Sequence, residues 1–188
     1  HIWSEVDAGK ISVEPGPRMA NTDWFRIDIH GTSCHGAMPQ RGADAVMAAA
    51  EIVNALQTIV SREISPYEPA VVTVGEIHGG TARNVIAGSA YLTGTVRTYS
   101  DTAHEMMPEL IKRIVTHTAM ALGADAELTD YTVANVKVEN EAASSERARA
   151  ALVKVLGEEA VGRYRGTLSG EDFSAYLQHV PGMLAFVG

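Results

Sequence analysis

Three groups of side chains in this chain are of types that do chemistry. The first is His35, within Gly31-Thr32-Ser33-Cys34-His35-Gly36-Ala37-Met38-Pro39. One imidazole, able to move a proton near neutral pH, sits between glycines in a stretch where backbone can approach a ligand closely. The second group is Asn84, in Gly79-Gly80-Thr81-Ala82-Arg83-Asn84-Val85-Ile86, with Arg97, in Gly94-Thr95-Val96-Arg97-Thr98. An amide and a guanidinium fork suit a carboxylate. The third is Glu171 with Asp172, in Ser169-Gly170-Glu171-Asp172-Phe173. Each group also has a purely structural reading: His35 as a loop histidine, Arg97 paired with a surface acid, Asn84 shaping a turn, and the two acids capping the helix that follows. Cys34, the only cysteine, reads as a small packed side chain rather than a nucleophile, because only His35 stands near it as a partner. No two histidines have His-x-x-x-His spacing, and Cys34-His35 is too tight to close a metal site alone. His30, His104, His117 and His179 lie on polar faces or element ends and read as solvated, with no role.

These groups need elements to hold them. Trp24 to His30 alternates, with Phe25, Ile27 and Ile29 on one face and Arg26, Asp28 and His30 on the other, which predicts a half-buried strand. A helix from about Asp44 to Ser61 follows, with Val46, Ala49, Val53, Leu56 and Val60 inward, so His35 falls in a strand-to-helix connection. Val71 to Ile77 is a second strand, ended by Gly79-Gly80. Ser89 to Tyr99 is a third, with Arg97 on its more polar face. Thr102-Ala103-His104-Glu105 reads as a capping box opening a helix with Met107, Leu110, Ile114, Thr118 and Ala121 inward and Gly123 as its stop. Ala126 to Val133 is the fourth strand. The order strand-helix-strand-strand-helix-strand predicts an α+β, ferredoxin-like βαββαβ unit: a four-stranded antiparallel sheet with both helices on one face and the other face open. Before it, residues 1–20 read as an irregular connector after a candidate strand at Ile2-Trp3. After it, 136–188 carry a helix from Ser144 to Leu156 with Ala148, Leu152 and Val155 inward. A short helix from Phe173 to Gln178 and a buried strand from Met183 to Val187 complete this part.

The chain has 188 residues, 46% of them hydrophobic, enough for a packed core. A net charge of −8 argues against nucleic acid or an anionic membrane as partner, since both call for a basic face. No apolar run is long enough to span a bilayer. A single cysteine suits a reducing compartment, so a cytoplasmic location is expected. The start at His1 and the end on an apolar stretch suggest a fragment.

Several motifs in order carry a resemblance over nearly the whole chain: His1-Ile2-Trp3 followed by Gly9-Lys10, Gly36-Ala37-Met38-Pro39 after His35, Val60-Ser61-Arg62-Glu63, Asn84-Val85-Ile86, Gly94-Thr95-Val96-Arg97-Thr98 and Gly170-Glu171-Asp172-Phe173. The chain resembles an aminoacylase/carboxypeptidase-type di-metal amidohydrolase, in the branch that hydrolyses hippurate and other N-acyl amino acids. The resemblance implies that 21–135 is a lid or dimerisation domain inserted in an α/β metal-binding catalytic domain, to which 1–20 contribute an edge and 136–188 a part. It also implies a homodimer and two divalent ions of zinc, manganese, cobalt or nickel. His1 resembles a ligand to one of them. His35 resembles the lid histidine that reaches the partner subunit's site and polarises the scissile amide of an N-acyl amino acid or small peptide. Asn84 and Arg97 resemble residues that hold the substrate's carboxylate or assist at the oxyanion, and Glu171 lies in a loop resembling one that borders the site. Ser33-Cys34 replaces a usual Gly-Gly, and Ala87 a usual proline, which alters loop stiffness without removing a chemical group. The family's Cys-Gly-His segment, tandem acidic pair and final histidine ligand have no counterpart, so this chain alone is expected to be inactive and to hold no metal pair tightly. A ferredoxin-like ligand-binding or dimerisation module without catalysis is the alternative.

Overall fold

Strands β1 (Ile11–Ser12), β2 (Gly16–Met19) and β3 (Asn21–His30) open the chain, followed by α1 (Ala45–Thr58), β4 (Ala70–Gly79), β5 (Ser89–Thr98) and α2 (Asp101–Ala121). Then come β6 (Asp125–Asn135), β7 (Val138–Asn140), α3 (Ala142–Leu156), α4 (Ser174–Leu177) and β8 (Phe186–Val187). The computed structural model describes all 188 residues, as two compact units: Asp23–Ala134, and His1–Thr22 with Asn135–Gly188.

The first unit is the βαββαβ sandwich, its sheet ordered β4-β5-β3-β6. β4 and β5 form an antiparallel hairpin in which Ala70 faces Thr98 and Gly79 faces Ala90, with a bulge between Val74 and Glu76. Alternation decides which face is buried: Phe25, Ile27, Ile29, Leu92 and Val96 lie under the helices and are at most 2% exposed. Gly94 lies among them because nothing larger fits. A Cβ there would stand 2.2 Å from Phe25 Cζ and 2.3 Å from the Thr73 carbonyl oxygen. Gly94→Ala is therefore expected to destabilise this unit by about 1–3 kcal/mol in urea unfolding, the cost of overpacking a core. On the open face, Arg26 makes a two-pronged bond to Asp28 at 2.7 and 3.0 Å and lies 4.1 Å over the Tyr91 ring, which stacks on His78. That bond and one from Thr129 hold the Asp28 carboxyl below its usual range.

Three expectations for this unit are corrected. The inward stripe of α1 is Ala45, Ala48, Ala49, Ile52 and Leu56, while Val46 is 43% exposed and Val60 36%. The alanines face inward, so Val46 and Met47 point out, and Glu51 is the only charge between Ala45 and Thr58. α2 starts earlier than the capping box implies. Ser100 is its cap, accepting from the Ala103 amide, and Ile111, Val115 and Ala119 face inward in place of Thr118 and Ala121. His104 is not solvated. Its Nε2 lies 2.9 Å from Oδ1 of fully buried Asp23, whose Oδ2 accepts from the Tyr131 hydroxyl at 2.7 Å.

In the second unit β1 pairs with β8 and β2 with β7, so 1–20 are more regular than a connector, and Ile2 makes only an isolated bridge to Val187. Trp3 and Tyr164 each pack edge to face on Phe186, in a cluster with buried Val6, Met19, Val138 and Leu184. The final strand is shorter than expected, and Val155 of α3 is 77% exposed rather than inward. No helix is long and apolar enough to cross a membrane.

Candidate functional site

Between β3 and α1 the chain makes a tip whose every turn is tied by backbone. Thr32 and Ala43 exchange amide bonds of 2.8 and 3.0 Å, and the Gly31 amide donates to the Gly88 carbonyl at 2.9 Å. Gly31 is required by crowding, since a Cβ there would stand 2.2 Å from the Ala43 carbonyl oxygen. The loop then pairs with the connection from β4 to β5. The Ile86 amide donates to the Cys34 carbonyl at 2.9 Å, the Gly36 amide to the Asn84 carbonyl at 2.8 Å, and His35 bridges Val85. Two segments fifty residues apart thus become one platform carrying both His35 and Asn84. Cys34 packs below it, its Sγ 3.3 Å from the Met38 carbonyl oxygen.

The His35 ring is oriented by the chain itself. The Ala37 amide donates to Nδ1 at 3.1 Å, so in the neutral ring Nδ1 holds the lone pair and Nε2 carries the proton. His35 is exposed, and its Nε2–H is a donor on an open tip. Beside it, Gly36, Asp44, Val46, Gly79, Arg83 and Val85 border a cavity of about 610 Å³, so the tip adjoins the free edge of the sheet at β4 and the start of α1.

Arg97 is not part of this platform. It sits opposite Val71, eight residues along β5 from the tip-side end at Ser89, or roughly 25 Å at strand rise. Its guanidinium donates to Val96 O at 2.9 Å and to Thr95 Oγ1. Partial burial lowers its pKa against the opposing pull of Asp23. Arg97 therefore shares its end of the sheet with the Asp23–His104–Tyr131 cluster. There the Asp23 bond raises the His104 pKa, and burial followed by the same carboxylate raises that of the Tyr131 phenol. Sequence reading missed this cluster, whose members lie 81 and 108 residues from Asp23.

In the second unit, His1 and Glu171 come together, Nε2 to Oε2 at 2.5 Å. No three His, Cys, Asp or Glu side chains group so as to hold a metal ion. The donor chemistry at His1, one imidazole with a carboxylate on a ring nitrogen, fits a single ligand of a shared metal site and its supporting acid.

Residues 20–122 match the family model described as the peptidase dimerisation domain, M20_dimer. Among curated relatives, the N-acetyldiaminopimelate deacetylase of Listeria monocytogenes is 35% identical over all of this chain and 50% of its own length. The N-acyl-L-amino acid amidohydrolase of Geobacillus stearothermophilus is 43% identical over 70% of this chain and 36% of its own. The crystal structure of the YxeP protein of Bacillus subtilis, described as a dinuclear metal binding peptidase from the M20 family, superposes with a TM-score of 0.81 at 30% identity. That superposition covers 100% of this chain and 46% of that one. The chain thus spans about half, or less, of the length of these relatives. The matched residues hold β3, α1, β4, β5 and α2 and make up more than half of the chain, which therefore belongs to the M20 peptidase dimerisation domain family.

Proposed function

We propose that this chain is the dimerisation-domain portion of a metal-dependent amidohydrolase that cleaves the amide bond of small N-acyl amino acids, hippurate-like ones included, or of small peptides. The two curated relatives named above are a deacetylase of an N-acetylated amino acid and an N-acyl-L-amino acid amidohydrolase, which supports that substrate class. The single observation that carries the reading is the Ala37 amide on Nδ1 of His35, because it leaves Nε2–H as the donor that a developing oxyanion needs. Activity belongs to a longer chain holding the remaining metal ligands, with His1 as one ligand, and a cytoplasmic setting fits the single cysteine.

When bound, two divalent ions of zinc, manganese, cobalt or nickel supply a water of lowered pKa and a Lewis acid for the carbonyl. His35 then donates from Nε2 to the oxygen that gains charge, and Asn84, whose backbone carbonyl ties it to the same platform, supplies a second polar group there. Arg97 takes the substrate's free carboxylate through its planar fork. Because Arg97 and the tip lie at opposite ends of one sheet, they serve different sites: the tip reaches the site of a second copy, and each site receives Arg97 from one subunit and His35 with Asn84 from the other. The unpaired β4 edge and the nearly uncharged outer face of α1, both next to the tip, suit the meeting of two copies.

The test is the complete enzyme, assayed with each of the four metals on N-acetyl amino acids, on hippurate and on the same substrates with the free carboxylate amidated. Hydrolysis of the acids and failure on the amides is expected. Arg97→Ala should lower kcat/KM by about 2 kcal/mol, roughly thirtyfold, mainly through KM. Hydrolysis of none of these acids with any of the metals would overturn the reading.

A further inference from the structure

We propose that Glu171 is a positioning residue for His1, rather than a contact to substrate, and that it makes Nδ1 of His1 the metal-binding nitrogen. This inference rests on the reading of His1 as a metal ligand. Both oxygens of Glu171 are already engaged: Oε2 with Nε2 of His1 at 2.5 Å, and Oε1 with the Phe173 amide at 3.2 Å. A carboxylate only accepts hydrogen bonds, so the proton between Glu171 and His1 is on Nε2, and the neutral ring keeps its lone pair at Nδ1. Metal-bound histidines commonly carry such an acceptor on the other nitrogen, where it fixes the tautomer, holds the ring plane and raises its basicity.

The backbone on both sides is built to hold this pair. The Glu171 side chain is 19% exposed, and its loop is closed by Ser174 Oγ donating to the Glu171 carbonyl at 2.9 Å. Before it, Gly170 packs so closely on Thr22 that a Cβ would stand 2.1 Å from Oγ1. That contact fixes where the Glu171 side chain starts. His1 is anchored by its carbonyl, which accepts from the Val187 amide at 2.8 Å, and by its backbone nitrogen, which donates to Ala185 O at 2.9 Å. With both backbones fixed, the hydrogen bond sets the direction of the imidazole.

The experiment titrates Co²⁺ into the metal-free complete enzyme, following heat and the visible Co²⁺ absorption, for the wild type, His1→Ala, Glu171→Ala, Glu171→Gln and the double variant His1→Ala with Glu171→Ala. Glu171→Ala is expected to weaken Co²⁺ binding about 10- to 100-fold and to alter the absorption bands. Glu171→Gln, whose single amide oxygen can accept from Nε2–H but which lacks the charge and the second acceptor, is expected to recover part of the affinity. The double variant should bind no more weakly than His1→Ala alone. If His1→Ala weakens binding but Glu171→Ala does not, the positioning role is wrong while the metal-ligand reading stands. If the double variant binds Co²⁺ clearly more weakly than His1→Ala alone, Glu171 acts on the metal without His1 and the positioning role is again overturned. If His1→Ala leaves binding unchanged, the underlying metal-ligand reading is what fails.

Discussion

His35→Ala in the complete enzyme is expected to lower kcat by about 10²–10³ with little change in KM, the usual loss when one oxyanion donor is removed. The expectation follows from the ring's orientation. The Ala37 amide uses Nδ1, so the open Nε2–H has no partner on the platform until an oxygen is brought to it. An oxygen that is a weak acceptor in the ground state and a strong one in the transition state gains most from such a donor, which places the effect in kcat. His35→Gln, which keeps a donor of similar reach, should recover part of the loss. The role in trans has its own measurement. Subunits with His35→Ala mixed with subunits carrying His1→Ala should form heterodimers with one complete site each, so activity reappears from two nearly inactive proteins. No rescue despite demonstrated subunit exchange, or a fully active monomer in sedimentation, would refute action across the dimer.

The second large effect is expected in stability. Asp23→Ala removes a fully buried carboxylate that both His104 and Tyr131 address, and breaking such a cluster from one side costs about 3 kcal/mol or more. The cluster also predicts a pH dependence. The Asp23 hydrogen bond raises the His104 pKa above its unfolded value, so the folded unit binds that proton more tightly than the unfolded chain does. The stabilisation is then complete below about pH 6.5, the ordinary histidine value, and is lost as pH rises through the raised folded-state value. Urea midpoints measured from pH 5.5 to 9 should fall over that window in the wild type and lose that component in His104→Gln. Equal slopes in the two proteins would show that His104 does not carry it.

Period and turn chemistry make the sandwich legible in the amino-acid sequence. The alternation of Phe25, Ile27 and Ile29, the Gly79-Gly80 stop and the stop at Gly123 are local signals, and the four strands fall close to where they point. The rotation of α1 was hidden because its inward stripe uses alanine where a reading by hydrophobicity favours Val46 and Val60. Asn84 and Arg97, grouped because an amide and a guanidinium suit a carboxylate, lie apart within one copy, since most of the residues between them form β5, which carries the chain away from the tip. The meeting of His35 with Asn84, of Asp23 with His104 and Tyr131, and of His1 with Glu171 has no local signature, because each joins distant segments that only the folded topology brings together.

The near absence of charge on α1 has a consequence for symmetry. Across a two-fold axis, any residue close to the axis meets its own duplicate, so an ionised group there would confront an identical one, and an ion pair can form only between residues set away from it. A helix presenting Val46, Met47, Ala50, Asn54 and Gln57 can lie against its mirror in function, antiparallel and turned through half a circle, without any such confrontation. α2, with Glu105, Glu109, Lys112 and Arg113 exposed or half-exposed along its length, lacks that freedom and is suited to face water instead.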